Sequence, residues 1–235
     1  MNINSKKILV VAAHPDDEIL GCGGTISKLS KKGYEIRILI LGEGITSRQQ
    51  ERNPDAAEKL LMKLHSEVSK AAKIVGAKSA TVLNFPDNRF DGVDLLEIIK
   101  EIEKVKNEFK PEIIFTHHPY DLNVDHRVTF NAVITASRPL QGESVKEIYS
   151  FEIPSSTEWQ YQNSINSFHP QCFFSLSKTD ITKKIKAMEV YSGEKRKYPH
   201  PRSSQALLQL AGFRGTQCGN NLAESFEIIR FVNEK

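Results

Sequence analysis

The chain has 235 residues, of which 39% are hydrophobic and 26% charged, and its formal net charge is +3. This is the composition of an ordinary globular protein, and so balanced a charge argues against a nucleic-acid or membrane partner. The three cysteines are too few and too far apart for a disulfide framework or a cysteine-rich zinc module. With no signal-peptide pattern and no stretch long enough to span a bilayer, we expect a cytoplasmic protein without an integral membrane segment.

The first predicted strand, residues 8–13, is entirely apolar and rich in β-branched side chains. Such a run is typical of a strand buried on both faces of a parallel sheet. Helical spacing follows over residues 19–32, and a second apolar strand over 35–41. This β-α-β order predicts a parallel pair of strands with a right-handed crossover.

Strands and helices go on alternating along the chain. The pattern predicts helices over 60–75, 94–109, 124–137, 179–191 and 203–210, and strands over 80–85, 112–116, 145–153, 171–176 and 227–232. We therefore expect one domain over residues 1–235, an α/β three-layer sandwich with a mostly parallel, Rossmann-like sheet.

Polar side chains collect where the first four predicted strands end. They form the clusters 14–18, 43–48, 87–89 and 117–126. The carboxyl ends of parallel strands share one edge of a sheet, which is where ligand sites form in open α/β folds. Histidines together with carboxylates suit a divalent metal, and zinc in particular. A spare carboxylate beside a metal-bound water can take its proton.

Spacing within the first cluster suggests how such a site is divided. His14 and Asp17 are three residues apart where strand turns into helix, so both can face one point. Asp16 then points elsewhere in the same pocket. His126, at the start of a different predicted helix, can supply a third ligand.

Four segments carry a family resemblance. Residues 13–18 (Ala-His-Pro-Asp-Asp-Glu), followed by Gly-Cys-Gly-Gly at 21–24, resemble the opening motif of the PIG-L/LmbE-like family of zinc-dependent N-acetyl-sugar deacetylases. Residues 121–127 resemble its second motif, and 199–203 and 223–226 resemble its C-terminal part.

The resemblance implies roles for individual residues. His14, Asp17 and His126 are expected to bind Zn²⁺, and Asp16 is expected to act as the general base. The substrate implied is a small-molecule N-acetylated sugar or glycoside, attacked at its acetamide carbonyl, and a homo-oligomer is expected. The residues expected to contact the substrate are Arg48, Asn123, Asp125 and His200.

One position departs from the family pattern. Many members have a histidine three residues before the third ligand, whereas this chain has Asn123. An asparagine can donate a hydrogen bond but cannot carry a proton at neutral pH. We expect Asp16 to return the proton to the leaving amine, with His117, His118 and His200 as the alternatives.

Two other functions fit parts of the pattern. Gly21–Gly24 and the later Glu43 superficially match a dinucleotide-binding oxidoreductase, but charged residues intervene between strand and glycines and would repel a pyrophosphate. A non-catalytic metal- or sugar-binding module is the second alternative. The spare Asp16 argues against it, because a structural zinc site is closed and needs no base.

Overall fold

The computed structural model describes residues 6–45 and 58–233, and within them seven strands form one sheet. The strands are β1 (Lys7–Ala12), β2 (Glu35–Gly42), β3 (Ser79–Phe85), β4 (Ile113–His117), β5 (Glu147–Phe151), β6 (Cys172–Ser175) and β7 (Ala223–Phe231). Their order across the sheet is β3-β2-β1-β4-β5-β7-β6. β1 to β5 are mutually parallel, and β7 runs antiparallel to both of its neighbours.

Helices cover both faces of this sheet. They are α1 (Asp17–Lys31), α2 (Glu58–Val75), α3 (Leu95–Phe109), α4 (Val124–Ala136), α5 (Lys178–Val190) and α6 (Ser204–Thr216). β1 shows why its sequence is apolar throughout. Val10 packs into a core shared with α1, α2 and α5, whereas Val11 packs into a second core shared with α3 and α4. The predicted three-layer α/β sandwich with a mostly parallel sheet is confirmed.

The C-terminal elements are longer than the sequence pattern predicted. α6 continues to Thr216 instead of ending at residue 210, and β7 begins at Ala223 instead of residue 227. β7 is long because it bridges two strands: Ala223 to Phe226 pair with β6, and Phe226 to Phe231 pair with β5. Position 215 within α6 requires a glycine, because a Cβ there would stand 2.6 Å from the carbonyl oxygen of Asn220.

α1 is broken near its first turn. The backbone of Cys22 leaves the helical region, with φ −145° and ψ 20°. The amides of Gly24 and Thr25 donate instead to the carboxylate of Glu224 on β7, at 3.0 and 2.6 Å. Lys184 of α5 donates to the Leu20 carbonyl oxygen at 2.7 Å and to Glu224 at 2.6 Å. A buried ion pair therefore replaces helical hydrogen bonds at the break.

The glycines beside this break permit close packing. A Cβ on Gly21 would lie 2.4 Å from the ring of Phe151, and one on Gly24 would lie 2.6 Å from the side chain of Leu176. The backbone amide of Gly24 already faces a carboxylate. A pyrophosphate would be repelled there, which argues against a dinucleotide-binding oxidoreductase.

Candidate metal centre

The candidate site lies at the carboxyl edge of the parallel strands, as the polar clusters predicted. β1 leads directly into His14 and Asp17, and the loop after β4 leads to His126 at the start of α4. The three side chains offer two imidazole nitrogens and one carboxylate oxygen that all lie within 4.8 Å of one another. The Oδ2 atom of Asp17 stands 3.3 Å from His14 Nδ1 and 3.2 Å from His126 Nε2.

Each imidazole is held from behind by a buried carboxylate. The Nε2 atom of His14 lies 2.9 Å from Asp125 Oδ2, and the other oxygen of Asp125 accepts the amide hydrogen of Phe90. The Nδ1 atom of His126 lies 3.0 Å from Asp121 Oδ1. Carboxylates in this outer position orient a metal-binding histidine and raise its basicity. The inward nitrogens, His14 Nδ1 and His126 Nε2, are thereby left to face Asp17.

The electrostatics of this cluster favour a bound cation. Burial alone would lower the pKa of His126, but Asp17 and Asp121 outweigh it and raise that pKa to about 9. The pKa of His14 is likewise raised, against burial, by Asp125 and Asp17. Burial opposes ionisation of Asp17, yet the nearby His126 holds its pKa well below the usual range. The two imidazoles and the Asp17 carboxylate form a nitrogen-and-oxygen donor set that fits a divalent metal such as zinc. Buried Asp87, Asp121 and Asp125 add negative charge around it, and Asp87 Oδ1 lies 3.3 Å from His14 Nε2.

Asp16 lies beside this donor set in an unusual conformation. Its φ of 109° is in the left-handed region, which L-residues rarely adopt. Its amide donates to Glu18 Oε2 at 3.1 Å, and Glu18 in turn accepts the hydroxyl of Tyr191 at 2.6 Å. Its carboxylate accepts Nη1 of Arg202 at 2.8 Å. Burial raises the pKa of Asp16 well above its usual value, although Arg202 opposes the shift.

Arg202 makes further hydrogen bonds with residues near Asp16. Besides Asp16, its Nη1 donates to Glu194 at 3.1 Å and its Nε donates to the Ser155 hydroxyl at 2.8 Å. These contacts join Ser155, which follows β5, and Glu194, which follows α5, to Arg202 of the Pro-His-Pro-Arg segment. Arg202 lies in the segment 199–203 that resembles the C-terminal part of the family, whereas no sequence pattern singled out Ser155 or Glu194.

A cavity of about 360 Å³ opens over these side chains. Its walls are formed by His14, Pro15, Asp16, Asp17, Gly44, Asp87, Asn88, Leu122, Asn123, His126, Ser155, Ser156, Trp159, Glu194 and Arg202. All three expected metal ligands and the expected base therefore reach one cavity, whose size is at the lower end for small-molecule sites.

The four expected substrate contacts fall in different places. Asn123 lines the cavity, but its Oδ1 caps α4 by accepting the amide of Asp125, and its Nδ2 donates to Asn88 at 2.8 Å. The carboxylate of Asp125 is fully buried behind His14. His200 lies outside the cavity walls, where its Nδ1 accepts the amide of Arg202. Arg48 lies outside the described residues.

His117, the last residue of β4, and the adjacent His118 both have hydrogen-bond partners within the protein. His117 Nε2 accepts the amide of Ala13 at 2.8 Å, and its ring stacks on His126 with centroids 4.0 Å apart. Burial and the neighbouring His126 lower the pKa of His117, so it stays neutral. His118 bonds to Glu227 at 2.7 Å and to the Asn166 carbonyl oxygen at 3.0 Å. Neither side chain lines the cavity.

Comparison with known proteins identifies relatives of this site and fold. A family model described as PIG-L, GlcNAc-PI de-N-acetylase, matches residues 9–137. A protein of Escherichia coli K12 named uncharacterized deacetylase YaiS is 29% identical over 189 residues, which cover 78% of this chain and 89% of the relative.

Two solved structures share the fold. N,N'-diacetylchitobiose deacetylase from Pyrococcus horikoshii superposes with a TM-score of 0.74 at 22% identity, over 97% of this chain and 85% of that one. GalB, the 4-carboxy-2-hydroxymuconate hydratase from Pseudomonas putida KT2440, gives 0.75 at 21% identity, over 98% and 99%. At these identities the likeness shows the fold alone.

None of the helices that the structure describes is long and apolar enough to cross a membrane.

The family model matches more than half of the chain and includes the expected metal ligands and base. The chain therefore belongs to the PIG-L family of GlcNAc-PI de-N-acetylases.

Proposed function

We propose that this chain is a zinc-dependent N-deacetylase that removes the acetyl group from an N-acetylglucosamine-type sugar or glycoside. Amino-sugar deacetylation is supported by the description of the matching family, and deacetylation in general by the name of the Escherichia coli relative. The observation that carries the proposal is the position of Asp16. It is a buried carboxylate with a raised pKa beside a three-donor metal cluster, and it lines the same cavity.

His14, Asp17 and His126 would hold the metal at the cavity wall that they form. A bound divalent cation supplies Lewis acidity to a carbonyl oxygen and lowers the pKa of a water molecule. Every further requirement of amide hydrolysis falls on the side chains of the protein. These must take a proton from the attacking water, return one to the leaving nitrogen and exclude competing solvent.

Asp16 is the group that we assign to the proton transfers. Its carboxylate accepts a proton from water as the water oxygen bonds to the acetamide carbon, and a raised pKa suits a base working near neutral pH. The same carboxyl then gives its proton to the amine nitrogen as the carbon–nitrogen bond breaks, yielding acetate and the free amino sugar. Arg202 holds Asp16 in place through both steps.

Asn123 cannot share this work, because its side chain has no titrating group and both of its polar atoms already have partners. His117, His118 and His200 lie off the cavity walls, so they are poorly placed to deliver a proton. The geometry therefore favours a single carboxyl group that serves first as base and then as acid.

Two other functions compete with this proposal. One is a metal- or sugar-binding module without catalysis. The other is hydration, because a hydratase shares this fold and a fold alone does not determine a reaction.

The test is release of acetate and free amine from N-acetylglucosamine, diacetylchitobiose and the methyl glycoside of N-acetylglucosamine, with metal content measured in the same sample. We expect turnover that chelation abolishes, that zinc restores and that Asp16→Asn removes. Asp91→Asn, an exposed carboxylate in a short 3₁₀ turn, is the matched control and should leave turnover unchanged. Metal-loaded protein without product on any substrate would contradict the proposal, and product formation unchanged by Asp16→Asn would contradict the assigned base.

We further propose a single domain, a homo-oligomer and a cytoplasmic location. The thiols of Cys22, Cys172 and Cys218 are free, which suits a reducing compartment. Light scattering after size exclusion measures the oligomeric state, and cell fractionation measures the location. A monomer, or protein found mainly outside the cytoplasm, would contradict these expectations.

A further inference from the structure

A second cavity, of about 320 Å³, adjoins the metal-site cavity. Its lining includes the apolar side chains of Ile45, Leu60 and Leu64 together with residues 191–194. We call this cavity the apolar annex. It shares Gly44 and Glu194 with the metal-site cavity, so a ligand held at the metal ligands can extend into it.

The polar groups of the apolar annex bond to one another. Lys63 Nζ donates to the hydroxyl of Ser192 at 2.7 Å, and that hydroxyl donates to Glu67 Oε1 at 2.8 Å. Because these atoms have partners, the annex gains little from a polar ligand. Leu60 remains 55% exposed, so a ligand that covers it removes apolar surface from water.

The sequence that joins Ile45 to α2 is predominantly polar. Residues 46–57 connect Ile45 to the start of α2, and their sequence is Thr-Ser-Arg-Gln-Gln-Glu-Arg-Asn-Pro-Asp-Ala-Ala. The apolar residues among them are one proline and two alanines, none of them large.

We propose that the apolar annex binds an apolar aglycone carried by the amino sugar. This inference rests on the proposed deacetylation, because the acetyl group is then the part removed and the substituent on the sugar is the part free to vary. An alkyl or aryl group attached at the anomeric carbon passes Gly44 and covers Leu60 and Leu64. The substrate class is thus an N-acetylglucosaminide with an apolar substituent.

The experiment compares deacetylation of methyl and octyl 2-acetamido-2-deoxyglucopyranosides by the zinc-loaded protein. We expect kcat/KM to be at least about tenfold higher for the octyl glycoside, since burying two methylene groups alone is worth about that factor. Equal values for the two glycosides would overturn the inference while leaving the proposed function intact. Failure to turn over either glycoside would instead contradict the proposed function.

A pair of variants on α2 assigns the preference to the annex. Leu60→Asp places a charge on its wall and should abolish the octyl preference while leaving the methyl glycoside rate unchanged. Met62→Asp is the matched control, because Met62 is 66% exposed on the same helix and is not among the annex walls. Loss of the preference in both variants, or in neither, would overturn the assignment.

Two further measurements separate other occupants. N-acetyl and N-octanoyl glucosamine methyl glycosides are compared in wild type and Leu60→Asp, and an effect confined to the octanoyl amide would mean that the annex takes an acyl chain instead. Light scattering is run on both variants. A smaller assembly in Leu60→Asp alone would mean that a second copy of the chain covers the annex, and either result would overturn the inference.

Discussion

The Nε2 atom of His14 lies 2.9 Å from Oδ2 of Asp125, a carboxylate with no solvent exposure. His126 has the same arrangement with Asp121, at 3.0 Å. Both expected metal-binding imidazoles therefore have a buried carboxylate on the nitrogen that faces away from Asp17. The second motif thus contains one expected ligand and the two carboxylates that lie behind the imidazoles.

Asp125→Asn should weaken metal binding without unfolding the protein. The amide can still accept the Phe90 amide hydrogen, but it no longer carries the charge that fixes the orientation and basicity of His14. We expect zinc affinity to fall about 10- to 100-fold in a competition titration with a chromogenic chelator. Asp94→Asn, at the exposed start of α3, is the control. Equal affinity in wild type and Asp125→Asn would show that this contact does not tune the site.

Metal binding should release protons at pH 7. The pKa of His126 in the metal-free protein is about 9, raised by Asp17 and Asp121 against the effect of burial. Its proton must therefore leave when a metal binds, and zinc affinity should rise with pH until about 9. Calorimetry in buffers of different ionisation enthalpy measures the release, and we expect about one proton or more. Affinity that does not change between pH 7 and 9 would contradict this expectation.

The same shift has a consequence for stability without metal. Protonated His126 stabilises the metal-free fold fully below its unfolded pKa of about 6.5. That contribution is lost as pH rises through about 9. The melting temperature of chelator-treated protein should therefore fall as the pH rises through about 9. In His126→Gln this part of the pH dependence should vanish.

Arg202→Met should lower turnover while leaving the metal in place. Arg202 contacts Asp16, Glu194 and Ser155 but none of the expected metal ligands, so its loss misplaces the base alone. We expect kcat to fall about 10- to 100-fold, the range for small misplacements of reacting groups, with unchanged zinc content. Arg138→Met is the control, because the Arg138 side chain is 60% exposed and pairs with Glu103 of α3 at 3.8 Å. A proportional loss of zinc in Arg202→Met would point to a structural role instead.

Lys184→Met should strongly destabilise the protein. It leaves the buried Glu224 carboxylate without its cation and the Leu20 carbonyl oxygen without a donor. Breaking a buried ion pair from one side typically costs about 3–5 kcal/mol, which urea denaturation measures. Lys186→Met on the exposed face of α5 should change stability by less than about 0.5 kcal/mol. The double variant with Glu224→Gln should recover part of the loss, and strict additivity of the two changes would contradict the coupling.

Most of the fold and the convergence of three side chains follow from local patterns. The apolar run before His14 and the β-α-β order place the polar clusters on one edge of the sheet. The sequence could not reveal the left-handed backbone of Asp16, because that conformation is imposed by contacts from Glu18 and Arg202. Ser155 and Glu194 were missed for a similar reason, since they reach the cavity from irregular segments without periodicity.

The second motif illustrates what spacing leaves open. Asp125 stands next to His126 in sequence, and the family resemblance placed it among the expected substrate contacts. In the fold its side chain points back towards His14, more than a hundred positions earlier, because α4 begins there with Asn123 as its cap. The residue that a buried carboxylate contacts depends on tertiary packing, which cannot be read from a single segment of sequence.

The hydrogen bonds of Lys184 and Glu224 to the backbone of α1 join an early part of the chain to two late ones. The three metal-binding candidates and the base have all been translated by residue 126, yet the break in α1 that follows them is held by Glu224 on β7. β7 also lies between β5 and β6, so the sheet closes only when that last strand has left the ribosome. A nascent chain therefore contains the expected ligands and base long before the contacts from β7 can form, and we expect metal binding to come late in biosynthesis.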